Sequence, residues 1–313
     1  MDISIIIPCY NSSTYINKCI RSICNQLTSA EFEIIFVDDC SCDNTTEEIE
    51  RTLRENNYSG AYRIIEHSIN KGVAEARITG VKNAVGEYIM FCDSDDWMDS
   101  RMCDLMYKKA VQGNCDLIIC DYIDVYDTHT SVCSACYNSA FLQSLLLCKC
   151  TGSLWNKLIK KSILMRDDFI FPTASYCEDY VFSIQLAIYA KSIGYIAQPL
   201  YYYVHRKDSI VNTKTLGAIS KKVQENLENY MLVERILEDN GLSNIYYSER
   251  IALKMIVKNS LRFYFSYKGY YRLWLKTFPE LIIEMFRSTH ISNRARISYF
   301  LTMFGLYPLI KKF

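Results

Sequence analysis

Residues Glu87–Trp97 read EYIMFCDSDDW. The apolar run Tyr88–Cys92 fits one short buried strand, and three carboxylates, Asp93, Asp95 and Asp96, follow it at once. Like charges this close repel, and removal from water strengthens the repulsion. A bound cation would relieve it. The other reading is a group of solvated turn residues and helix caps, where Asp is common.

Working outward, the first 120 residues alternate strand and helix. The pattern predicts a strand Ile3–Ile7 ended by Pro8, then a helix capped by Ser12–Ser13 and running to about Gln26. A second strand, Phe32–Val37, is halted by Asp38–Asp39, and Asp43–Asn44 cap a helix with acids in its first turn. Tyr62–Glu66 reads as a third strand, and Val73–Ala84 as a helix closed by a left-handed Gly86. Tyr88–Cys92 is the fourth strand, Asp99 caps the helix beyond it, and Leu117–Cys120 is the fifth. Short apolar strands alternating with helices predict an α/β fold, a mostly parallel sheet covered on both faces. Thr128–Ser139 reads as a surface loop, Leu154–Met165 and Glu178–Ala190 as helices, and Leu200–His205 as an aromatic strand. From Leu216 the pattern is helical, which predicts a first domain over 1–213 and a helical C-terminal region over 214–313.

With half of its 313 residues hydrophobic, the chain can bury a real core and is not disordered. A net charge of zero argues against a dedicated nucleic-acid binder. The charge is unevenly spread: from Ile251 onward there are 11 Lys/Arg against 2 Asp/Glu, a balance of +9, which leaves −9 for the first 250 residues. A basic tail suggests an anionic partner such as a lipid surface. The start, MDISIIIPCYN, lacks the pattern of a secretory leader, so the 14 cysteines read as reduced core residues of a cytoplasmic protein. Cys133-x-x-Cys136 with Cys148-x-Cys150 has the outline of a zinc site, but the second pair is one residue too tight and no His joins it.

Open parallel sheets bind ligands outside the carboxyl ends of their strands. Two acidic clusters fall there: Asp38–Asp39 after the second strand and Asp93–Asp96 after the fourth. Hard oxygens at D-x-D spacing suit Mg²⁺ or Mn²⁺, which takes one or two carboxylates and completes its shell with water and substrate phosphates.

PCYN at Pro8–Asn11, VDDCSCDNT at Val37–Thr45, NKGVAEARITGVKNAVGEYIMFCDSDDW at Asn70–Trp97, LWNKL at Leu154–Leu158 and CEDYVF at Cys177–Phe182 occur in an order and spacing that resembles the family 2 glycosyltransferases of GT-A fold. The resemblance covers about the first two-thirds of the chain, and in layout is similar to bacterial enzymes that build capsule, O-antigen and exopolysaccharide. It implies a GT-A domain, Rossmann-like and mostly parallel, and a nucleotide-sugar donor. In such enzymes the acid matching Asp39 contacts the base, usually uracil, with Asp38 beside it. The acid matching Asp95 binds Mn²⁺ or Mg²⁺ with Asp93 nearby, in the loop that also holds Ser94, and the backbone around Pro8, Tyr10 and Asn11 lines the nucleotide. Asp179, beside Glu178, matches the general base.

Several roles stay open between chemistry and packing. Arg77 matches an arginine near the diphosphate but could equally be a salt bridge to the acidic crevice. Glu178–Asp179 also suits the first turn of a helix. His205 and Arg206 end a strand where the family often carries a basic residue facing the diphosphate, while a lone His is commonly structural. Lys157 is open in the same way, Trp155 is a core or acceptor-wall residue, and Trp97 could stack on a sugar or simply pack.

The implied reaction is inverting, single-addition transfer to a glycan or lipid-diphosphate-linked glycan; the Q-x-x-R-W signature of processive synthases is absent. Ile297–Ile310 is an uncharged run flanked by Arg294, Arg296, Lys311 and Lys312, too short to span a bilayer. It fits an interfacial helix on the inner face of the cytoplasmic membrane, or a surface packing on the catalytic domain or on a second copy. Two rival functions are a D-x-D phosphatase, which would need Thr or Val where Trp97 stands, and a non-catalytic assembly scaffold.

Overall fold

The computed structural model describes residues 1–135, 137–206 and 215–306. The chain divides into two compact units, Met1–Ser139 with Thr151–Asn212, and Ala140–Cys150 with Thr213–Phe313. The excursion at 140–150 has no signature in the sequence pattern, which gave one boundary near Thr213; that residue, like Cys136 of the Cys-x-x-Cys pair, lies outside the described residues.

The first unit opens with β1 (Ile3–Cys9), α1 (Ile16–Cys24), β2 (Phe32–Asp38), α2 (Thr45–Glu55), β3 (Ala61–Glu66), α3 (Val73–Asn83) and β4 (Tyr88–Phe91). Every side chain of β1 is buried, as an interior strand of a sheet covered on both faces requires. Pro8 continues β1 rather than ending it. Ile6 C=O accepts from Cys92 on the β4 side and Cys9 C=O accepts from Asp39 on the β2 side, so the backbone of Pro8 faces the β4 side. There the β1–β4 pairing has already stopped at Ile6–Phe91, and the missing N–H removes no ladder bond. On α1, Ile16, Cys19, Ile20 and Ile23 are buried at a spacing that makes one helical face. That helix starts later than Ser12–Ser13, although the Ser12 carbonyl accepts from both Tyr15 and Ile16. Gly86 is not a left-handed cap: α3 ends at Ala84 in extended conformation. A Cβ on Gly86 would lie 2.6 Å from the backbone of Ile3 and of Ser4, so close approach to β1 is what requires glycine.

The remainder departs further from expectation. After β5 (Trp97–Met98) and α4 (Met102–Gly113), β6 (Leu117–Val125) runs beyond Cys120 and forms a hairpin with β7 (Thr130–Cys133), inside the expected loop. Next come α5 (Phe141–Leu146), which belongs to the second unit, and β8 (Lys157–Lys160), where a helix was expected. Its apolar run fits either period. Pairing decides: β8 fills the gap between β4 and β6, antiparallel to both. The helices α6 (Lys161–Leu164) and α7 (Glu178–Tyr189) precede β9 (Ile193–Val204), parallel to β6 with register shifts around Asp121. The sheet order among the described residues is β3-β2-β1-β4-β8-β6-β9-β5, with β7 on β6.

The second unit joins α5 to α8 (Leu216–Asp239), α9 (Tyr247–Ser260), α10 (Tyr270–Lys276), α11 (Leu281–Glu284) and α12 (Asn293–Met303). Its core forms around Trp274 and Tyr299, whose rings are 5.0 Å apart, with Met255, Leu281 and Met285. Part of the basic charge of the tail is used internally. Lys258, buried, donates to the Tyr299 hydroxyl at 2.9 Å, and Arg296 donates to the carbonyls of Met285 and Ser288. Tyr299 lies inside the uncharged run at Ile297–Ile310; the run's last four residues, with Lys311 and Lys312, lie outside the described residues. No helix among the described residues is long and apolar enough to cross a membrane.

Candidate active site

Because β1 to β4 are parallel, their carboxyl ends reach one edge of the sheet, delivering His67, Asp38–Asp39, Tyr10–Asn11 and Asp93–Asp96 side by side. β6 and β9 run the same way as β4, reversed twice through β8, so His205 and Arg206 emerge at that edge too. The two acidic clusters therefore share a sheet edge, as the strand pattern implied.

The first cluster is satisfied from within. Asp39, 3 % exposed, accepts from the backbone N–H groups of Lys71 (2.8 Å) and Gly72 (2.7 Å), and its Oδ1 lies 2.7 Å from His67 Nδ1. Gly72 has φ +90°, and a Cβ there would run into the Ser175 hydroxyl, so the loop that aims these N–H groups needs glycine. Asp38 accepts from the N–H (3.0 Å) and hydroxyl of Ser41. Asn11, at φ +50°, accepts from Cys42 N–H at 2.8 Å and donates its own N–H to Ser41 Oγ, stitching the loop after β1 to the loop after β2. Tyr10 projects outward, 46 % exposed.

The second cluster is held by opposing charges. Arg77, on α3 and 5 % exposed, donates to Asp93 at 2.7 Å and to Glu178. Those are the contacts of the salt-bridge reading, and its Nε is buried without a partner among the described residues. Arg206 reaches Asp95 at 2.7 Å while its guanidinium sits 4.0 Å from the Tyr15 ring centre. Asp96 accepts from the Tyr201 hydroxyl (2.9 Å) and Val204 N–H (2.7 Å), and the same hydroxyl accepts from Asp93 N–H at 3.0 Å. Ser94 and Ser12 share a 2.9 Å hydroxyl contact that ties the D-x-D loop to the loop after β1. Burial, then Asp95 and Asp93, push the Asp96 carboxyl well up. Burial and Asp93 raise Asp95 against the pull of Arg206. At the end of β4, burial and mutual repulsion therefore outweigh the pull of Arg206 on this carboxylate cluster. Asp95 offers a hard oxygen donor within it, with Asp93 two residues away, and this chemistry fits Mg²⁺ or Mn²⁺.

Asp179 stands in the first turn of α7, after Cys177 in left-handed conformation (φ 64°). Glu178 and Asp179 open the helix, as the first-turn reading has it, and Asp93 acts on both electrostatically. Burial raises the Asp179 carboxyl, with Asp93 adding to the shift while Arg77 and Lys157 oppose it. Burial and Asp179 likewise raise Glu178 against the pull of Arg77. A carboxylate raised in this way is a better proton acceptor near neutral pH.

Other expected residues are engaged elsewhere. His205 Nε2 lies 2.7 Å from Asp124 with its ring stacked on Tyr126 at 4.2 Å, so of the two basic residues only Arg206 touches the acidic cluster. Trp97 packs between Lys18, 2.9 Å from its ring centre, and Tyr202, stacked at 5.2 Å. Trp155 is buried against Tyr201 and Tyr203, the core alternative. Lys157 is fully buried and donates to Ser153 O and Asn156 Oδ1. The sequence reading missed His67, Tyr201, Ser12 and Asp96's role as a buried anchor. Only Tyr201 left a trace: Tyr201 and Tyr203 alternate along β9, putting both on one face of the sheet.

Residues 4–164 match the family described as Glycosyl transferase family 2. EpsH of Bacillus subtilis (strain 168) is 33 % identical over 67 % of this chain, and the poly(ribitol-phosphate) beta-glucosyltransferase of Bacillus spizizenii is 32 % identical over 66 %. The matches span 62 % and 33 % of those proteins' own lengths. Among solved structures, S. aureus TarS 1–349 in complex with UDP superposes with a TM-score of 0.72 at 19 % identity, over 98 % of this chain and 88 % of that one. With a family match over half its length and a mixed α/β sheet like that of the solved neighbour, the chain belongs to glycosyl transferase family 2.

Proposed function

We propose that this glycosyltransferase moves a hexosyl or N-acetylhexosaminyl group from a uridine diphosphate sugar to a hydroxyl of a glycan or lipid-diphosphate-linked glycan acceptor, with inversion, in surface-polysaccharide synthesis. The observation that carries the reading is the bridge made by Arg77, which joins Asp93 of the D-x-D loop to Glu178 of the Glu-Asp pair and so brings two motifs 85 residues apart in sequence into one site. That a structural neighbour was crystallised with UDP, and that one relative is named for glucosyl transfer, support the choice of donor.

Asp95, with Asp93 beside it, would hold Mn²⁺ or Mg²⁺, which when bound neutralises charge on a diphosphate leaving group. Asp39 takes the base, Tyr10 and Asn11 flank the nucleotide, and Arg206, released from Asp95, faces the diphosphate. Asp179 accepts the proton of the acceptor hydroxyl as its oxygen forms the new bond to C1 and the C1–O bond to the diphosphate breaks. The basic C-terminal region is assigned to peripheral contact with an anionic membrane on the cytoplasmic side, where a lipid-linked acceptor would be presented. A second copy packing there is the competing occupant.

The test is a thermal-shift panel of UDP, GDP, CMP and ADP, each with and without Mn²⁺. A ligand at 100 times its dissociation constant stabilises by about 2.7 kcal/mol. A shift with UDP that grows with Mn²⁺ is expected. No shift with any nucleotide would sink the donor assignment.

A further inference from the structure

His67 lies outside every motif that carried the functional reading, yet it is buried against the acid assigned to the base. Its Nδ1 is 2.7 Å from Asp39 Oδ1 and its Nε2 is 2.9 Å from the Thr79 hydroxyl on α3. Nδ1 must carry a proton, because an ionised carboxylate only accepts. Together with Lys71 N–H on Oδ1 and Gly72 N–H on Oδ2, three donors fill three of about four lone-pair positions. The carboxylate is fixed in plane and tilt, and among the described residues one acceptor position is left, on Oδ2.

We propose that His67 is a positioning residue for donor recognition: it locks Asp39 so that the remaining lone pair on Oδ2 meets the ring edge of the base, and the site thereby selects bases with a ring N–H. This rests on Asp39 being the base contact. Uracil offers N3–H and guanine offers N1–H. Cytosine and adenine present a bare ring nitrogen at the same places, a lone pair facing a lone pair, and are rejected. Without the His67 anchor the carboxylate could rotate and the rejection would weaken, because a site built to pair with a substrate N–H discriminates only while its own geometry is held.

UDP and CDP differ at that ring position, so calorimetric titration of each, with Mn²⁺ present throughout, reads the effect without turnover. The wild type is expected to bind UDP at least tenfold tighter than CDP, roughly one good polar pair. His67→Phe should lose about tenfold for UDP and leave CDP unchanged. His67→Asn, whose amide N–H can stand in for Nδ1–H, should return to within about threefold of wild type. Equal weakening of both nucleotides in His67→Phe, or no weakening of UDP, overturns the inference. If His67→Phe does not fold, Thr79→Val removes the other anchor and should weaken UDP alone by about threefold; unchanged UDP binding there also overturns it. Asp39→Asn separates the two layers. If it leaves UDP affinity intact, the base contact itself is wrong. If it weakens UDP while the His67 variants do not, only the positioning role fails. GDP against ADP repeats the contrast, and tighter binding of CDP or ADP than of UDP and GDP would reject the ring N–H rule outright.

Discussion

The two carboxylate clusters lie on the same sheet edge and are built on opposite principles. Asp38 and Asp39 are neutralised by dipoles: backbone N–H groups, a serine and a histidine, all from loops fixed by their neighbours. Asp93, Asp95 and Asp96 face each other, and their charge is met by Arg77, Arg206 and the Tyr201 hydroxyl, with Asp95 and Asp96 still raised by burial and repulsion. The first arrangement fixes its carboxylates with a single acceptor position of Asp39 open among the described residues, and suits a rigid recognition element. The second is left under burial and repulsion that a bound cation would relieve.

The largest effect should come from the residue that neither cluster contains. Asp179→Asn removes the proton acceptor and should lower the transfer rate about 10³-fold while leaving UDP affinity within about threefold. A rate near wild type in a sugar-transfer assay would remove Asp179 from the chemistry. Next, Asp95→Asn should abolish the part of the UDP thermal shift that depends on Mn²⁺, yet leave the free protein's stability unchanged or higher, since it relieves repulsion. Asp39→Ala should do the reverse to stability. It strands three N–H donors, at about 1–3 kcal/mol for each buried group left unsatisfied. Urea unfolding of the two variants breaks the comparison if Asp95→Asn proves the less stable.

Smaller effects sharpen it. Tyr201→Phe removes the hydroxyl shared by Asp96 and Asp93 N–H and should cost about 1–3 kcal/mol, read by the same unfolding curves. The acid limb of the rate–pH profile should lie above the ordinary aspartate value of about 3.9. Its sign follows from Asp179: burial raises the carboxyl, the base works only when ionised, and so activity falls as pH drops through that raised value. A limb at the ordinary value would show that the base is not a buried carboxylate.

What could be read in advance follows from how local each feature is. β1 to β4 and their helices are recorded in runs of apolar residues and in caps a few positions away. β8 is not: Lys157–Lys160 becomes a strand only because β4 and β6 leave a slot for it, and β5 and β7 are too short to show a period. The acids stood out because clustered carboxylates are costly and demand a reason. His67 is a single residue just past the end of β3 and Tyr201 a single residue within β9, and their importance exists only once Asp39 and Asp96 are beside them. Arg206 and His205 were indistinguishable as neighbours in sequence. Their different partners, Asp95 and Asp124, separate them.

The excursion at 140–150 means that the chain crosses between the two units three times, at the ends of that segment and again near 213. Phe141, Leu142, Leu145 and Leu146, all buried, come from the middle of the chain, whereas the rest of the second unit is C-terminal. No single cut separates the units. A truncation near residue 212 would leave α5 without the helices of its own unit. Exchange of the C-terminal helices between relatives would have to carry 140–150 along with them, because the second unit's core draws on both segments.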